Sequence, residues 1–335
     1  MGSSGIDIKV FRGSKDSGIV ETSIPQPDLK GDEALVKITH SGLCGTDLHY
    51  LEADLVLGHE GVGIVQEIGP GVRHLKKGDR VGFGYVHSTC GHCLECFSGK
   101  ETYCPERVMY GLGDFENGSF SSHAVWSESF LFLIPPALQS GHAAPLQCGG
   151  ATVFNALEGY DTRPTERVGI IGIGGLGHLA IEFAAKMGCE VVVFSSTDSK
   201  KEEAMRLGAT EFVATKDAKK LDVKPLSRLV VTTSQMPDWE PYIPILAPGA
   251  KIFPLTVSMG NFEFPQMPMI TQGITVQGTV VAPRSVHMKM LDFCAMHGIK
   301  PVTQEFPLTK PGIEDALEHL TSGKMRYRGV LVAQG

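Results

Sequence analysis

Gly172-Ile-Gly174-Gly175-Leu176-Gly177 limits the fold of this chain more than any other stretch. It follows Arg167-Val-Gly-Ile-Ile171, an apolar run with the character of a buried strand, and it opens Leu176 to Met187, apolar at helical spacing. A strand, a glycine turn and a helix in that order bring backbone amides and the positive end of a helix dipole to one point. The glycines let the main chain approach a pyrophosphate closely. Gly172, Gly174, Gly175, Leu176 and Gly177 are therefore candidate nucleotide-binding residues.

The alternation continues downstream. Glu190–Phe194 predicts a second strand and Ser199–Leu207 a charged helix. Further strands are expected at Glu211–Ala214, Arg228–Thr232 and Ala250–Leu255. Strand–helix alternation of this kind predicts a parallel sheet covered on both faces. Upstream, Ala34–Thr39, Gly61–Ile68 and Arg80–Gly84 are short strands, and long helical periodicity is scarce. The tail offers helices at Pro283–His297 and Gly312–Ser322 and a last strand at Gly329–Val332. The expected architecture is α/β: a doubly wound parallel-sheet domain, residues 149–283, inserted in a β-rich domain, residues 1–148, which residues 284–335 complete. A length of 335 residues supports two domains.

Composition removes several function classes. Hydrophobic residues make up 42% and charged residues 20%, a globular balance. A net charge of -7 without a basic face argues against nucleic-acid binding. No apolar run approaches the roughly 20 residues of a membrane span. Met1-Gly-Ser-Ser-Gly5 lacks the basic and apolar regions of a signal peptide, and Val332–Gly335 is neither a peroxisomal nor an ER-retention signal. A cytoplasmic location is expected.

Cysteine spacing points to metal. Cys90, Cys93, Cys96 and Cys104 suit a tetrahedral zinc with no open position, a structural site. His92, between two of them, is expected to face solvent. A second set is dispersed: Cys44, Thr46, Asp47 and His49, then His59 and Glu60, then Cys148. Cys, His and Cys from separate segments form an open, catalytic type of zinc site.

The second strand ends in Ser195-Ser196-Thr197-Asp198-Ser199-Lys200. An acid there would bind a ribose 2′-hydroxyl, whereas hydroxyls and lysine welcome a 2′-phosphate. Ser195, Ser196, Thr197 and Lys200 therefore favour NADP(H). In the other reading, Asp198 reaches the hydroxyl unless it caps the helix that follows.

Gly58-His-Glu60-Gly-Val-Gly63, with Gly69 and Val72, resembles the signature of the zinc-containing medium-chain alcohol dehydrogenases. The cysteine lobe, Cys148 and the glycine turn stand in that family's order, and the resemblance spans essentially the whole chain. It implies a Rossmann domain inserted in a GroES-like catalytic domain, with two zinc ions per chain. It implies Cys44, His59 and Cys148 as catalytic ligands, Glu60 as an adjacent acid, and Asp47 as the carboxylate orienting His59. Thr46 and His49 resemble a proton relay. The serine-rich segment and Arg326-Tyr-Arg328 resemble the cinnamyl-alcohol-dehydrogenase-like branch, which adds Thr152, Leu176 and Arg328 as cofactor contacts.

The implied activity is hydride transfer between NADP(H) and a primary alcohol or aldehyde, aromatic or medium-chain. The alternative is NADPH-dependent reduction of a conjugated C=C or an iminium, against which the retained Thr46 and His49 argue. A non-catalytic zinc and nucleotide binder is disfavoured by the complete ligand and relay sets. A homodimer is expected, with Ile274–Val280 pairing across a two-fold axis. The chain departs from the family in the short Tyr50–Gly58 segment, which predicts a wider substrate pocket, and in Gly45, where some relatives carry a basic residue.

Overall fold

A computed structural model describes residues 6–334 except 217 and 259. The N-terminal Met1–Gly5 stretch read above and the final Gly335 lie outside the described residues. The chain divides into two compact units, one running to Ala151 and resuming at Pro283, the other Thr152–Ala282. The first break falls a few residues later than the expected boundary at 148–149. Residues Leu146–Gly150 form a single π-type turn that still belongs to the first unit.

Within Thr152–Ala282, six parallel strands form one sheet. Their order is Glu211–Ala214, Glu190–Ser195, Arg167–Ile171, Leu226–Val231, Leu246–Pro254 and Thr275–Val276. That is the 3-2-1-4-5-6 order of a doubly wound nucleotide-binding sheet. Val191 to Phe194 have no exposed surface, as central strands covered on both faces require. Ile171, Phe194, Val231, Trp239 and Ile252 share one core cluster. Two expectations change here. The helix after the second strand is split, with a 3-10 turn at Asp198–Lys200 and an α-helix at Lys201–Leu207. Thr197, not Asp198, holds the N-terminal cap position of that turn. Of Ile274–Val280, only Thr275–Val276 is strand, and it forms the sheet edge.

In the other unit, the main sheet runs Phe132–Leu133, Arg80–Phe83, Gly61–Ile68, Glu33–Leu43, Arg328–Val332 and Thr303–Pro307, with His123–Ser127 also on Glu33–Leu43. The tail does return here: its last strand pairs antiparallel with Glu33–Leu43, Gly329 facing Leu43 and Val332 facing His40. Gly61–Ile68 pairs antiparallel on the other side, Gly61 facing Ser41. The end of one strand thus meets the beginnings of two others. Cys44, Glu60 and Arg328, each one residue beyond the last pair made along Glu33–Leu43, come together at that end.

Candidate active site

Ligand atoms of Cys44, His59, Glu60 and Cys148 all lie within 4.8 Å of one another. Four local devices bring them there. Cys44 ends the Glu33–Leu43 strand and precedes a one-turn helix, Gly45–Leu48. Asp47 in that turn is fully buried; its Oδ2 accepts from the Cys44 N–H at 2.9 Å, and its Oδ1 lies 2.9 Å from His59 Nδ1. Because a carboxylate only accepts, His59 Nδ1 donates to Asp47, which turns Nε2 toward the thiols. The ring is also flanked by Tyr110, at 4.7 Å between centroids, and by the edge of Tyr85 at 5.5 Å. Cys148 is presented by the π-type turn between the helices Ser140–Pro145 and Ala151–Leu157.

Glu60 lies flat on its neighbour strand because Gly42 has no side chain; a Cβ there would sit 2.0 Å from a Glu60 oxygen. Its carboxylate accepts from the Gly149 N–H and from Arg328 Nη2, which reaches both oxygens. Arg328 is therefore turned inward, 4% exposed. Burial raises the Glu60 carboxyl to about 7 against the pull of Arg328. The Cys148 thiol hydrogen bond, with the charges of Arg328 and His59, holds Cys44 well below the usual thiol range. Burial alone would lower His59; the charge and hydrogen bond of Asp47 raise it well above the ordinary value. Thr46 is half-buried with its hydroxyl 3.7 Å from Cys44 Sγ, and His49 is exposed at the end of the same turn.

Do these residues fit a metal? His59 Nε2 is buried and has no hydrogen-bond partner. Two sulfurs and one aromatic nitrogen are borderline-soft donors that suit zinc. The second group is as clear. Cys90–Cys96, Cys93–Cys96 and Cys90–Cys104 sulfurs are 4.0, 3.5 and 3.6 Å apart. Tetrahedral zinc with 2.3 Å bonds requires about 3.8 Å between sulfurs, whereas a disulfide requires about 2.05 Å. His92 is exposed, with Nδ1 on the Cys90 carbonyl at 2.7 Å.

The nucleotide residues lie in the other unit. Gly172 has φ +94, which excludes most side chains. A Cβ at Gly177 would stand 2.1 Å from the Gly172 carbonyl, so the helix packs directly on the turn. A Cβ at Gly174 would meet nothing within 4 Å. This last glycine leaves an open approach, as a pyrophosphate cradle needs. Gly175 and Leu176 complete the turn, and Thr152 is half-buried on the Ala151–Leu157 helix.

A cavity of about 890 Å³ extends from Gly172 past Ser195, Ser196 and Lys200. Lys200 Nζ donates to the Ile173 carbonyl at 2.7 Å. Thr197 is exposed, its hydroxyl 2.8 Å from that of Ser199. Asp198 is exposed and is not part of the cavity wall. Thr215 and Lys219 are, although neither is a motif residue. The run Lys216 to Lys220, rich in lysine, is a signal that points to Lys219. The Arg328–Glu60 pair and the rings around His59 had no comparable signal, since they depend on long-range strand pairing.

The chain matches the family models "Alcohol dehydrogenase GroES-like domain" over residues 30–136 and "Zinc-binding dehydrogenase" over residues 175–296. It is 33% identical over 326 residues to an alcohol dehydrogenase of Moraxella sp., covering 93% of this chain and 95% of that protein. It is 31% identical to NADP-dependent alcohol dehydrogenase C 1 of Mycolicibacterium smegmatis, covering 93% and 94%. It is 34% identical to 1,2-dihydrovomilenine reductase of Rauvolfia serpentina, covering 88% and 85%. In structure it is similar to a cinnamyl alcohol dehydrogenase of Sorghum bicolor, with TM-score 0.89, 31% identity and 98% of each chain covered.

Proposed function

The chain belongs to the zinc-binding alcohol dehydrogenase family, built from a GroES-like and a Rossmann-type domain, and from that premise we propose that it is a zinc-dependent, NADP(H)-dependent alcohol dehydrogenase and aldehyde reductase. Its substrates are primary alcohols or the corresponding aldehydes, aromatic or medium-chain. The observation that carries the reading is the convergence of Cys44, His59 and Cys148, with the orphaned His59 Nε2 among them. When bound, zinc supplies Lewis acidity toward an alcohol or carbonyl oxygen, and the nicotinamide gives or takes hydride.

The residues of the chain do the rest. Cys44, His59 and Cys148 would hold the catalytic ion, and Asp47 fixes the His59 tautomer. Glu60 stands beside them as a carboxylate that Arg328 keeps in place. Thr46, half-buried, and His49, exposed, would be the inner and outer ends of a route by which a proton leaves. Cys90, Cys93, Cys96 and Cys104 would hold a second, structural ion.

For the cofactor, Gly172, Gly174, Gly175, Leu176 and Gly177 would receive the pyrophosphate. Ser195, Ser196, Thr197 and Lys200 would receive a 2′-phosphate; Ser195, Ser196 and Lys200 line the cavity, while Thr197, like Asp198, lies outside its wall. Lys219 adds a second cation to the same wall. Thr152 and Arg328 are further proposed contacts. The likeness to 1,2-dihydrovomilenine reductase supports a second reading, reduction of a conjugated C=C or iminium. Thr46 and His49, a relay that serves an alcohol proton, favour the first.

Metal analysis of wild type and Cys44→Ser tests the assignment. Two zinc ions per chain should fall to one, with turnover lost. Unchanged turnover, or two ions in the variant, would contradict it.

A further inference from the structure

Two phenols stand beside the set of Cys44, His59 and Cys148, and the Thr46–His49 route leaves their hydroxyls unused. Tyr85 follows the strand Arg80–Phe83 and turns the edge of its ring to His59, at 5.5 Å between centroids and 86° between planes. Tyr50 closes the turn that carries Thr46 and Asp47, its N–H donating to the Asp47 carbonyl at 3.1 Å. The two hydroxyl oxygens lie 3.4 Å apart. Packing fixes both rings. Tyr110, fully buried, meets Tyr50 edge-on at 5.0 Å and Tyr85 at 6.0 Å, and its own hydroxyl accepts from the Gly58 N–H at 3.0 Å. The Tyr50 ring lies against the bare Cα of Gly111, where a Cβ would stand 2.3 Å from the ring and 2.5 Å from the hydroxyl.

These phenols border the accessible side of the site. His59, Glu60, Arg328 and Tyr110 are buried, whereas Thr46, Tyr50 and Tyr85 keep partial exposure. A substrate reaches the ligands from where surface remains. Burial, then the Tyr50 hydroxyl, then the charges of Cys148 and Cys44 lift Tyr85 well above the ordinary phenol value. Its oxygen is thus within electrostatic reach of both sulfurs, and it stays a protonated donor.

What can the two hydroxyls hold? Their separation exceeds the roughly 2.5–3.0 Å of a good O–H···O contact, so neither satisfies the other well. An oxygen seated between them accepts from both. A hydrocarbon group in that place leaves two partly buried donors without a good partner, the penalty by which hydroxyl-reading sites reject apolar analogues. A carboxylate or phosphate would lie beside two thiol ligands, and Arg328 is already committed to Glu60. An ammonium only donates and leaves both phenol protons unused. A neutral oxygen acceptor suits the pair.

We propose that Tyr50 and Tyr85 determine substrate specificity, and that the preferred substrates are alcohols or aldehydes with a second, neutral oxygen (hydroxyl, ether or carbonyl) close to the reacting carbon. The inference rests on the alcohol dehydrogenase reading of the Cys44 centre.

The test compares isosteric aldehydes on zinc-loaded protein, with NADPH and with NADH. The pairs are methoxyacetaldehyde against butanal, 3-methoxypropanal against pentanal, and the methoxybenzaldehydes against the ethylbenzaldehydes. The ratio of kcat/KM, ether over hydrocarbon, is measured in wild type, Tyr50→Phe and Tyr85→Phe. Intrinsic reactivity cancels when ratios are compared between proteins, and a merely structural loss lowers both members of a pair alike. The expected result is a wild-type ratio about tenfold above that of Tyr85→Phe in at least one pair, the size of one hydrogen bond, with a drop of the same sign in Tyr50→Phe. Methoxyacetamide, an unreactive carbonyl analogue, should likewise inhibit wild type about tenfold more tightly than butanamide, a readout that needs no variant to fold. Equal ratios in all three proteins with turnover intact, or equal inhibition by the two amides, overturn the proposal alone. No turnover of any aldehyde by zinc-loaded wild type overturns the underlying reading and the proposal with it.

Discussion

His287 shows how one buried residue supports the site from the tail segment. It stacks on Phe132 at 3.9 Å, and its Nε2 lies 3.0 Å from Gln147 Oε1, beside Cys148 in sequence. Burial pushes its pKa down to about 3. A histidine that must stay neutral when folded contributes stability above its unfolded pKa, about 6.5, and loses it as pH falls toward the folded value. His287→Phe should therefore flatten the acid limb of stability between pH 7 and 5. At about 1.4 kcal/mol per pH unit, wild type should lose on the order of 2 kcal/mol more than the variant over that window. Urea midpoints at the two pH values measure it; parallel losses in both proteins would contradict it. At this scale the sequence was legible where spacing carries chemistry. The cysteine lobe could be read from its spacing, whereas the Cys44, His59 and Cys148 set, dispersed along the chain, was assigned through the family resemblance. Arg328 could not be assigned a partner, because its contact with Glu60 depends on which strands pair.

At the scale of elements, the glycine turn separates two kinds of requirement. Gly177→Ala places a Cβ 2.1 Å from the Gly172 carbonyl, a backbone atom that cannot step aside. Gly174→Ala places one in open space. Gly177→Ala should lower stability by about 1–3 kcal/mol through overpacking. Gly174→Ala should leave the melting temperature within a degree or two of wild type, yet weaken dinucleotide binding about tenfold or more. Thermal melts and cofactor fluorescence titrations separate the two; equal effects of both variants would contradict this division of roles. Strands and helices with strong periodicity were read within a few residues of their bounds. The Ile274–Val280 segment was not. Its β-branched residues suit a strand, but only Thr275 and Val276 pair in register, with Lys251 and Ile252, and the last bond to that neighbour comes from the Gln277 N–H. Apolar pattern marks what can pair, and the partner decides how far pairing runs.

For the whole molecule, the order of motifs along the chain carried the architecture. A β-rich segment, six strands alternating with helices or loops, and a short tail leave few topologies. That the tail returns to the first unit was an expectation from order; that its last strand pairs with Glu33–Leu43, in the register that places Arg328 beyond Leu43, came only from the structure. The homodimer remains a proposal. Thr275–Val276 is an edge strand, and the preceding helix exposes Met267 and Ile270, both 64% exposed, as an interface between copies requires. Light scattering on the zinc-loaded protein should give twice 36.0 kDa, and Ile270→Lys should shift it toward monomer. A monomeric wild type would remove the proposal.

The central claim is a zinc-dependent aldehyde reductase that uses NADPH. The most direct measurement is the initial rate of cofactor oxidation on zinc-loaded protein. NADPH and NADH are compared against cinnamaldehyde, benzaldehyde and medium-length aliphatic aldehydes, with Ser196→Asp alongside. The account predicts strong turnover with NADPH and little with NADH in wild type, and a shift toward NADH in Ser196→Asp. No turnover with either cofactor, from protein that holds two zinc ions and binds NADPH, would contradict it.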